Sequence, residues 1–282
     1  MGGNVLGFSW SIIQKQRLKE LNADEEQQNM LFEDKNERDR VFLELDRQLI
    51  KKGKERLDNL KNIERRPALA QLESKLVEAL TSHGYVQVVT PIIIPKRSLA
   101  KMSIDDSHPL FSQVFWVDEK KCLRPMLAPN LYTLWKDLLR IWEKPIKIFE
   151  VGSCFRKESQ GAHHLNEFTM LNVTVLGLPL EEREAWIEEM AELILKTAGI
   201  SDYVLEKETS VVYGDTIDVV SGIELGSGAY GPHPLDQNWG IHDPWAGIGF
   251  GLERLLMIRE GGQNIQRMSK SVTYLDGVRL NI

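Results

Sequence analysis

Two alternating apolar runs, separated by a polar loop, constrain the fold of this chain more than any other feature. The first run is Ile146–Phe155 and the second is Glu167–Leu176. Because successive side chains of a strand point to opposite faces, each run predicts a strand with one buried face. One face of the second run is apolar and suits a core: Thr169, Leu171, Val173 and Val175. The other face suits the floor of a ligand site, since it carries a ring, a thioether, an amide and a hydroxyl: Phe168, Met170, Asn172 and Thr174.

Helix and strand patterns from both ends of the chain surround this central unit. Apolar residues at helical spacing follow three prolines: Pro67, Pro129 and Pro179. Residues 85–95 indicate a strand that Pro91 interrupts, which favours an edge or a bulge. A Gly-rich strand near the end leads into a helix close to Leu252. This order predicts an α+β fold, with an antiparallel sheet flanked by helices and a helical N-terminal extension.

Residues 1–62 differ from the remainder in their high charge and sparse apolar residues, which suggests long helices that bury a narrow stripe. Residues 51–66 contain seven Lys or Arg against three Asp or Glu. Such cations form either a solvated helix face or a contact with the phosphate backbone of RNA. The sequence therefore predicts two domains, a charged helical extension over residues 1–62 and a main domain over residues 63–282.

Composition narrows the class of protein. Hydrophobic residues make up 42% and charged residues 27%, as is usual for a globular protein. The net charge of -6 does not favour nonspecific binding of nucleic acid by the molecule as a whole. Cys122 and Cys154 have no CxxC spacing, and no apolar run approaches the roughly 20 residues of a membrane span. We expect a cytoplasmic protein.

The segment WAGIGFGLERLL, residues 245–256, contains Gly247, Gly249 and Gly251 at period two. A dinucleotide-binding fingerprint would need glycine where Leu252 stands, which argues against that interpretation. Three glycines on one strand face leave a strip of bare backbone, against which a flat ring can lie. Arg254 follows directly and can reach a phosphate.

Two arginines, one aromatic ring and the glycine strip together predict a nucleotide site. A purine fits between the Phe168 ring and the bare backbone or a cation, while the guanidinium groups of Arg156 and Arg254 bind phosphates bidentately. FRxE or GxGxG alone is a weak signal. Their combination, with the strand of Phe168 and Asn172 between them, is specific.

With these motifs the sequence resembles the class II aminoacyl-tRNA synthetases. HGYVQVVTPIII is similar to their motif 1, FRKES with the following EFTML to motif 2, and GIGFGLER to motif 3. Five segments resemble one branch of the family, which acts on a lysine-derived amino acid: RPMLAPNLY, HPLFSQVFW, EFTMLN, VYGDT and FGLERLLMIREG. The resemblance, which begins at about residue 60, implies a ligase that forms an aminoacyl-adenylate from ATP and transfers the acyl group to the 3′ end of a tRNA.

The resemblance also implies the residues that act on ATP and Mg²⁺. Arg156 would bind the α-phosphate and the carboxylate being activated, Glu158 would approach the adenine amino group, and Arg254 would lie on the γ-phosphate side. These three are the expected catalytic residues. The remaining expected ligands are His164, Leu165 and Phe168 for the nucleotide, with Phe168 stacking on the base, and Glu224 and Ser227 for Mg²⁺ and the phosphates.

A pocket for a long side chain is implied as well. Asn172 would hydrogen-bond a side-chain carbonyl, and Tyr213 would cap the distal end. The other expected pocket residues are Ala128, Leu131, Tyr132, Met170, Thr174 and Trp245. An amide in an apolar cavity favours a substrate with an amide of its own, because plain lysine would bury an ammonium there. Ala128, Leu131 and Trp245 could equally be ordinary core residues.

For partners, the resemblance implies tRNA, contacted by the N-terminal extension. A homodimer is indicated by the sequence pattern, because a long helix leads into an edge strand. Archaeal relatives carry a further N-terminal tRNA-binding domain. This sequence resembles the bacterial arrangement, in which a separate chain supplies that domain. Thr174 stands where relatives have Cys, and Trp135 where they have Leu. Two alternatives remain open. One is a class II ligase for another amino acid, such as phenylalanine or phosphoserine, and the other is a non-catalytic paralogue that binds a nucleotide or tRNA.

Overall fold

The structure is a computed structural model that describes residues 7–157, 165–262 and 264–282. Its helices and strands, in chain order, are β1 (Phe8–Ser9), α1 (Ile12–Glu20), α2 (Glu25–Gln28), β2 (Leu31–Phe32), α3 (Lys35–Asn59), α4 (Ala68–Ser82), β3 (Val86–Gln87), β4 (Ile93–Pro95), α5 (Lys96–Lys101), β5 (Lys121–Leu123), α6 (Ala128–Leu138), β6 (Ile146–Phe155), β7 (Glu167–Leu176), α7 (Arg183–Ala198), β8 (Val204–Ser210), β9 (Gly214–Ser221), β10 (Ile223–Gly231), β11 (Trp245–Gly251), α8 (Leu252–Arg259), β12 (Tyr274–Leu275) and β13 (Val278–Arg279). A π-helical turn covers Leu60–Glu64, and 3₁₀ helices cover Pro109–Gln113, Leu180–Glu182, Pro234–Trp239 and Ile265–Arg267.

The chain divides into two compact units, and residues 271–282 belong to the same unit as the residues up to 68. In this first unit, Trp10, Leu18 and Phe32 form a buried core with residues of α3. Ile282 packs against that core, and Asp276 pairs with Arg56 of α3. The boundaries of the compact units therefore differ from those of the predicted domains. The prediction placed residues 63–282 in one domain, whereas residues 271–282 belong to the first unit. The tRNA-contacting role of the N-terminal extension stays a prediction.

The second unit, residues 69–270, contains a seven-stranded sheet in the order β3-β6-β7-β11-β10-β9-β8. All neighbours are antiparallel except β3 and β6 at one edge, which are parallel. The α+β class predicted from the sequence is confirmed, and the sheet is mixed rather than wholly antiparallel. Strands β6 and β7 have the predicted bounds and pair along their full length, from Ile146↔Leu176 to Phe155↔Glu167.

The two faces of β7 differ as its sequence indicates. Thr169, Leu171, Val173 and Val175 are all buried. Helix α7 packs against β10 and β11. Gly228 of β10 allows the close approach of α7, because a Cβ atom there would lie 2.7 Å from Ile187 Cγ2. On the opposite side, α6 and the 3₁₀ helix Pro234–Trp239 contribute to one cluster of buried residues with strands of the sheet.

The region around Pro91 separates two strands rather than bending one. Val86–Gln87 pairs at the edge of the large sheet, whereas Ile93–Pro95 pairs with β5 in a small sheet of its own. Pro91 lies between them, outside both strands, where its missing N–H is not needed. Over the residues that the structure describes, no helix combines the length and apolar character needed to cross a bilayer.

Candidate functional site

A cavity of about 480 Å³ lies over the polar face of β7, within the second unit. One row of paired residues crosses the sheet here: Asn172 is opposite Gly249, Gly249 is opposite Ser227, and Ser227 is opposite Asp218. Fourteen residues expected from the sequence line the cavity: Ala128, Leu131, Tyr132, Arg156, Leu165, Phe168, Met170, Asn172, Thr174, Tyr213, Glu224, Ser227, Trp245 and Arg254. Glu158 and His164 lie outside the described residues, so their roles stay predictions.

The glycine strip of β11 forms part of the cavity wall. Gly247 and Gly251 are opposite Thr174 and Met170 of β7. A Cβ atom added at Gly249 would lie 2.7 Å from Met170 Cε, and one at Gly247 would lie 3.2 Å from Thr174 Cγ2. Because these glycines have no Cβ atoms, they leave room in the cavity that even a methyl group would reduce. A site for a flat ring requires such room.

The two motif arginines line the same cavity from different elements. Arg156 follows β6, and its Nε atom donates a hydrogen bond to the carbonyl oxygen of Pro125 at 2.9 Å. Its guanidinium carbon lies 5.3 Å from the centroid of the Phe168 ring, a cation–π contact. Arg254 lies in the first turn of α8, and its Nη1 atom donates to the carbonyl oxygen of Glu224 at 2.9 Å. Both cations are thus oriented by protein groups.

The other end of the cavity is an aromatic pocket. The ring of Trp245 lies 5.7 Å from Tyr132, 5.6 Å from Trp135 and 5.9 Å from Tyr213, measured between centroids. Burial raises the pKa of both tyrosine hydroxyls, so each stays protonated at neutral pH. Among the described residues, the side-chain amide of Asn172 has no hydrogen-bond partner, which leaves it available to a ligand. Trp135 is 1% exposed, and it occupies space that the leucine expected at this position would leave open.

A buried carboxylate behind this pocket was not expected from the sequence. Asp236 is 3% exposed and accepts hydrogen bonds from the hydroxyl of Tyr132 and from Nε1 of Trp245, each at 2.9 Å. It also accepts from the backbone N–H of His233 at 2.6 Å. The only sequence signal was local, since an acid three residues after His233 is typical of a helix N-terminus.

A buried ion pair beneath Arg156 was not expected either. Arg124 Nη1 lies 2.7 Å from Glu150 Oε1, and the two side chains are 3% and 1% exposed. Glu150 also accepts from the N–H and hydroxyl of Thr90. The backbone of Arg124 accepts from Phe155 N and precedes Pro125, whose carbonyl orients Arg156. A single acid in an apolar strand, as in IKIFEV, could have revealed this network.

Glu253 stands next to Arg254 and fixes the start of α8. Both of its carboxylate oxygens lie 2.9 Å from the backbone N–H of Thr169, which donates to them. Strand β11 ends at Gly251, opposite Met170, so it offers no backbone acceptor to the N–H of Thr169. The Glu253 carboxylate accepts from this N–H instead. Burial raises the pKa of the Glu253 carboxyl. This contact ties the helix to the sheet and directs Arg254 toward the cavity.

The oxygen atoms expected to hold Mg²⁺ fit such an ion. Ser227 Oγ donates to Asp218 Oδ1 at 2.6 Å, and Glu224 lines the same part of the cavity. Within the described ranges, no group of three or more His, Cys, Asp or Glu could hold a metal by itself. Mg²⁺ usually takes one or two carboxylates and completes its shell with water and substrate phosphates. The partial set of oxygen ligands from Glu224 and Ser227 is therefore compatible with Mg²⁺.

Comparison with known proteins identifies the class that this fold and site define. Residues 56–277 match the family model described as tRNA synthetases class II core domain (F). The chain belongs to this class II family. It is also 25% identical over 248 residues to O-phosphoserine--tRNA(Cys) ligase of Methanocorpusculum labreanum, a match that covers 79% of this chain and 45% of that protein.

Within the class, the chain is 62% identical to the pyrrolysyl-tRNA synthetase of Desulfitobacterium hafniense, of which a crystal structure is known. The match covers 97% of this chain and 99% of that one, with a TM-score of 0.93. This is the branch that the sequence motifs indicated. A third relative, the ATP phosphoribosyltransferase regulatory subunit of Ruminiclostridium cellulolyticum, is 29% identical over 140 residues, which are 48% of this chain and 33% of that protein. The chain thus spans less than half the length of the phosphoserine ligase and of the regulatory subunit.

Proposed function

We propose that this chain is an ATP-dependent ligase that activates pyrrolysine as an aminoacyl-adenylate and transfers it to the 3′ end of its cognate tRNA. One observation carries the proposal. A single cavity holds two oriented arginines and a bare glycine strip at one end, and an aromatic pocket with an amide at the other. The identity of 62% to a pyrrolysyl-tRNA synthetase supports the same substrate.

In the proposed reaction, the carboxylate of the amino acid attacks the α-phosphorus of ATP in line, and pyrophosphate leaves. Arg156 binds the α-phosphate and the attacking carboxylate, and brings the two reactants together. Because the Pro125 carbonyl and the Phe168 ring already orient its guanidinium, little reorganisation is needed in the transition state. No covalent intermediate with the protein is needed.

The leaving group lies on the side of Arg254. This arginine binds the γ-phosphate, while Glu224 and Ser227 provide oxygen ligands for Mg²⁺. The ion, when bound, offsets the charge that develops on the phosphoryl oxygens. Phe168 and the glycine strip hold the adenine, with Leu165 beside it. Glu158 at the adenine amino group and His164 at the nucleotide complete the proposed set.

Substrate selection takes place in the aromatic pocket. Asn172 donates to the side-chain carbonyl of the amino acid, and Tyr213 closes the distal end. Ala128, Leu131, Tyr132, Met170, Thr174 and Trp245 form the remaining walls. A substrate without an amide would leave the Asn172 side chain buried and unpaired, which costs about 1–3 kcal/mol. Plain lysine is disfavoured further because its ammonium would be buried among apolar groups.

Three macromolecular partners belong to the proposal. Exposed lysines of residues 51–66 in the first unit contact the phosphate backbone of the tRNA. A second copy of the chain covers exposed apolar residues around β3 and β4, among them Val89 and Ile93, which are 86% and 50% exposed. A separate tRNA-binding chain supplies further contacts. The reaction takes place in the cytoplasm, where charged tRNA is used.

Amino-acid-dependent exchange of pyrophosphate into ATP tests the proposal. The assay compares pyrrolysine, lysine, phenylalanine and O-phosphoserine, followed by charging of tRNA. Exchange with pyrrolysine alone is the expected result. Exchange with phenylalanine or phosphoserine instead would identify another class II ligase. The similarity to a regulatory subunit favours a non-catalytic paralogue as second candidate, and absence of exchange with every amino acid would support it.

A further inference from the structure

Asp236 is the strongest unassigned group near the site. It lies on the 3₁₀ helix Pro234–Trp239, is 3% exposed, and does not line the cavity itself. Its Oδ1 atom accepts from Tyr132 Oη, and its Oδ2 atom accepts from Trp245 Nε1 and from His233 N. Two of these three donors belong to side chains that form walls of the pocket.

We propose that Asp236 is a positioning residue for amino-acid selection, which holds Tyr132 and Trp245 in the orientation that shapes the pocket. The inference rests on the proposed function, since it concerns the same pocket. It adds a residue that contacts neither the nucleotide nor the amino acid.

The surroundings of Trp245 leave its indole few alternatives. Its Nε1 atom occupies the space that a Cβ atom would take at Gly231. An indole N–H can only donate a hydrogen bond, and Asp236 Oδ2 is its acceptor at 2.9 Å. Without that acceptor the buried N–H would remain unpaired unless the ring rotated. The Asp236 carboxylate therefore fixes the plane of one pocket wall.

Tyr132 is held from the same 3₁₀ helix by two different contacts. Its hydroxyl donates to Asp236 Oδ1, and its ring stacks on Trp239 with centroids 5.4 Å apart and an interplanar angle of 19°. The two pocket walls share one anchor, because the carboxylate joins Tyr132 to Trp245. A shift of either ring would change the width of the pocket around a long side chain.

The chemistry of the three donors provides a matched pair of variants. Asp236→Asn can place its amide oxygen at the Oδ2 position and its NH₂ group toward Tyr132. The oxygen is needed at the Oδ2 position because the two groups that bond there, His233 N–H and Trp245 Nε1–H, can only donate. The Tyr132 hydroxyl can accept as well as donate, so this variant keeps the network and removes only the charge. Asp236→Ala removes the whole anchor and the cap on His233 N.

A control variant separates positioning from general destabilisation. Trp186 Nε1 donates to Tyr85 Oη at 2.7 Å, and these two buried side chains lie outside the cavity lining. Tyr85→Phe removes the acceptor of a buried indole N–H, as Asp236→Ala does, without altering the pocket. Its melting temperature should fall while both Michaelis constants remain at the wild-type values.

The experiment measures pyrophosphate exchange as a function of pyrrolysine and of ATP for all four proteins. In Asp236→Ala the KM for pyrrolysine should rise about tenfold or more, while the KM for ATP stays within about twofold. Asp236→Asn should keep the KM for pyrrolysine within about fivefold of wild type. Equal rises of the KM for pyrrolysine in both Asp236 variants would refute positioning. Equal rises of the KM for pyrrolysine and the KM for ATP in Asp236→Ala would also refute it.

A second readout does not depend on the reaction. In the ¹⁵N NMR spectrum, the indole N–H of Trp245, assigned with Trp245→Phe among seven tryptophans, should shift less in Asp236→Asn than in Asp236→Ala. An unmoved resonance in Asp236→Ala would contradict the hydrogen bond on which the inference depends. If wild type shows no exchange with pyrrolysine, the proposed function fails. The spectrum still tests whether Asp236 orients Trp245, because it does not depend on the reaction.

Discussion

Single side chains in this site are oriented by groups that lie outside the motifs that predicted them. Arg156, predicted from the FRxE motif, is held by the carbonyl of Pro125 and by the ring of Phe168. The motif indicated which residue provides the positive charge at the end of β6. It could not indicate the Arg124–Glu150 pair below it, since that contact joins residues 26 positions apart. Burial of a charge depends on the whole fold.

At this scale Arg156→Ala should abolish pyrophosphate exchange, because it removes the cation proposed to hold the α-phosphate and the carboxylate together. The hydrogen bond to Pro125 and the cation–π contact with Phe168 together account for about 1 kcal/mol of the free energy of unfolding. The control is Arg183→Ala, since Arg183 also donates to a backbone carbonyl, of Gly231, and lies over a ring, of Tyr230, at 4.9 Å. Exchange rates and thermal melts of both variants provide the comparison. Activity left in Arg156→Ala would count against its role.

Asn172→Ala should weaken selection for an amide-bearing side chain. The loss of one buried hydrogen bond to the substrate corresponds to about a tenfold to hundredfold fall in kcat/KM for the amide-bearing substrate. A derivative of equal length without the amide should be affected little, so the ratio of the two is the quantity to measure. An unchanged ratio would mean that Asn172 does not read the carbonyl.

Helices and strands of the second unit could be predicted from the sequence where their apolar residues recur periodically. The bounds of β6 and β7 and the start of α8 at Leu252 agree with the sequence-based predictions. The small sheet of β4 and β5 and the 3₁₀ helix that carries Asp236 were not predicted. Both are short, so their periodicity contains too little information, and both depend on partners distant in sequence.

Two glycines on neighbouring strands of the sheet, one on β10 and one on β11, should respond differently to substitution by alanine. A Cβ atom at Gly226 of β10 would meet the carbonyl oxygen of Gly249 and lie 2.6 Å from Phe250 Cδ1, so Gly226→Ala should cost about 1–3 kcal/mol or more of stability. Gly249→Ala would meet chiefly Met170 Cε, the end of a flexible side chain. That variant should fold, with a KM for ATP raised about tenfold because the methyl group narrows the nucleotide wall. Thermal melts and ATP titrations distinguish the two, and an unaltered KM in Gly249→Ala would argue against a ring on this strip.

At the scale of the whole molecule, the two compact units are expected to serve different steps. The cavity proposed to bind the nucleotide and the amino acid lies entirely in residues 69–270. The exposed lysines proposed to contact tRNA lie in the other unit. Substitutions there should therefore alter tRNA charging and leave adenylate formation unchanged.

Lys52→Gln with Lys54→Gln tests this separation, because both side chains are exposed on α3. Charging of tRNA should fall, and its dependence on salt should weaken by about one unit of log–log slope for each lost phosphate contact. Pyrophosphate exchange should stay at the wild-type rate. Lys196→Gln with Lys207→Gln, two lysines of the second unit, is the control of equal charge. Equal effects on charging from both pairs would indicate a general loss of attraction rather than a defined contact.

Residues 271–282 complete the core that the first α-helices begin, through Ile282 and the pairing of Asp276 with Arg56. During synthesis on the ribosome these residues emerge after the entire sheet, so the sheet can fold while the earlier helices still lack their last partners. The first unit can therefore complete its core only after Ile282 has been added. A chain that ends at residue 270 would contain every described residue that lines the cavity and would lack the residues that complete the core of the first unit.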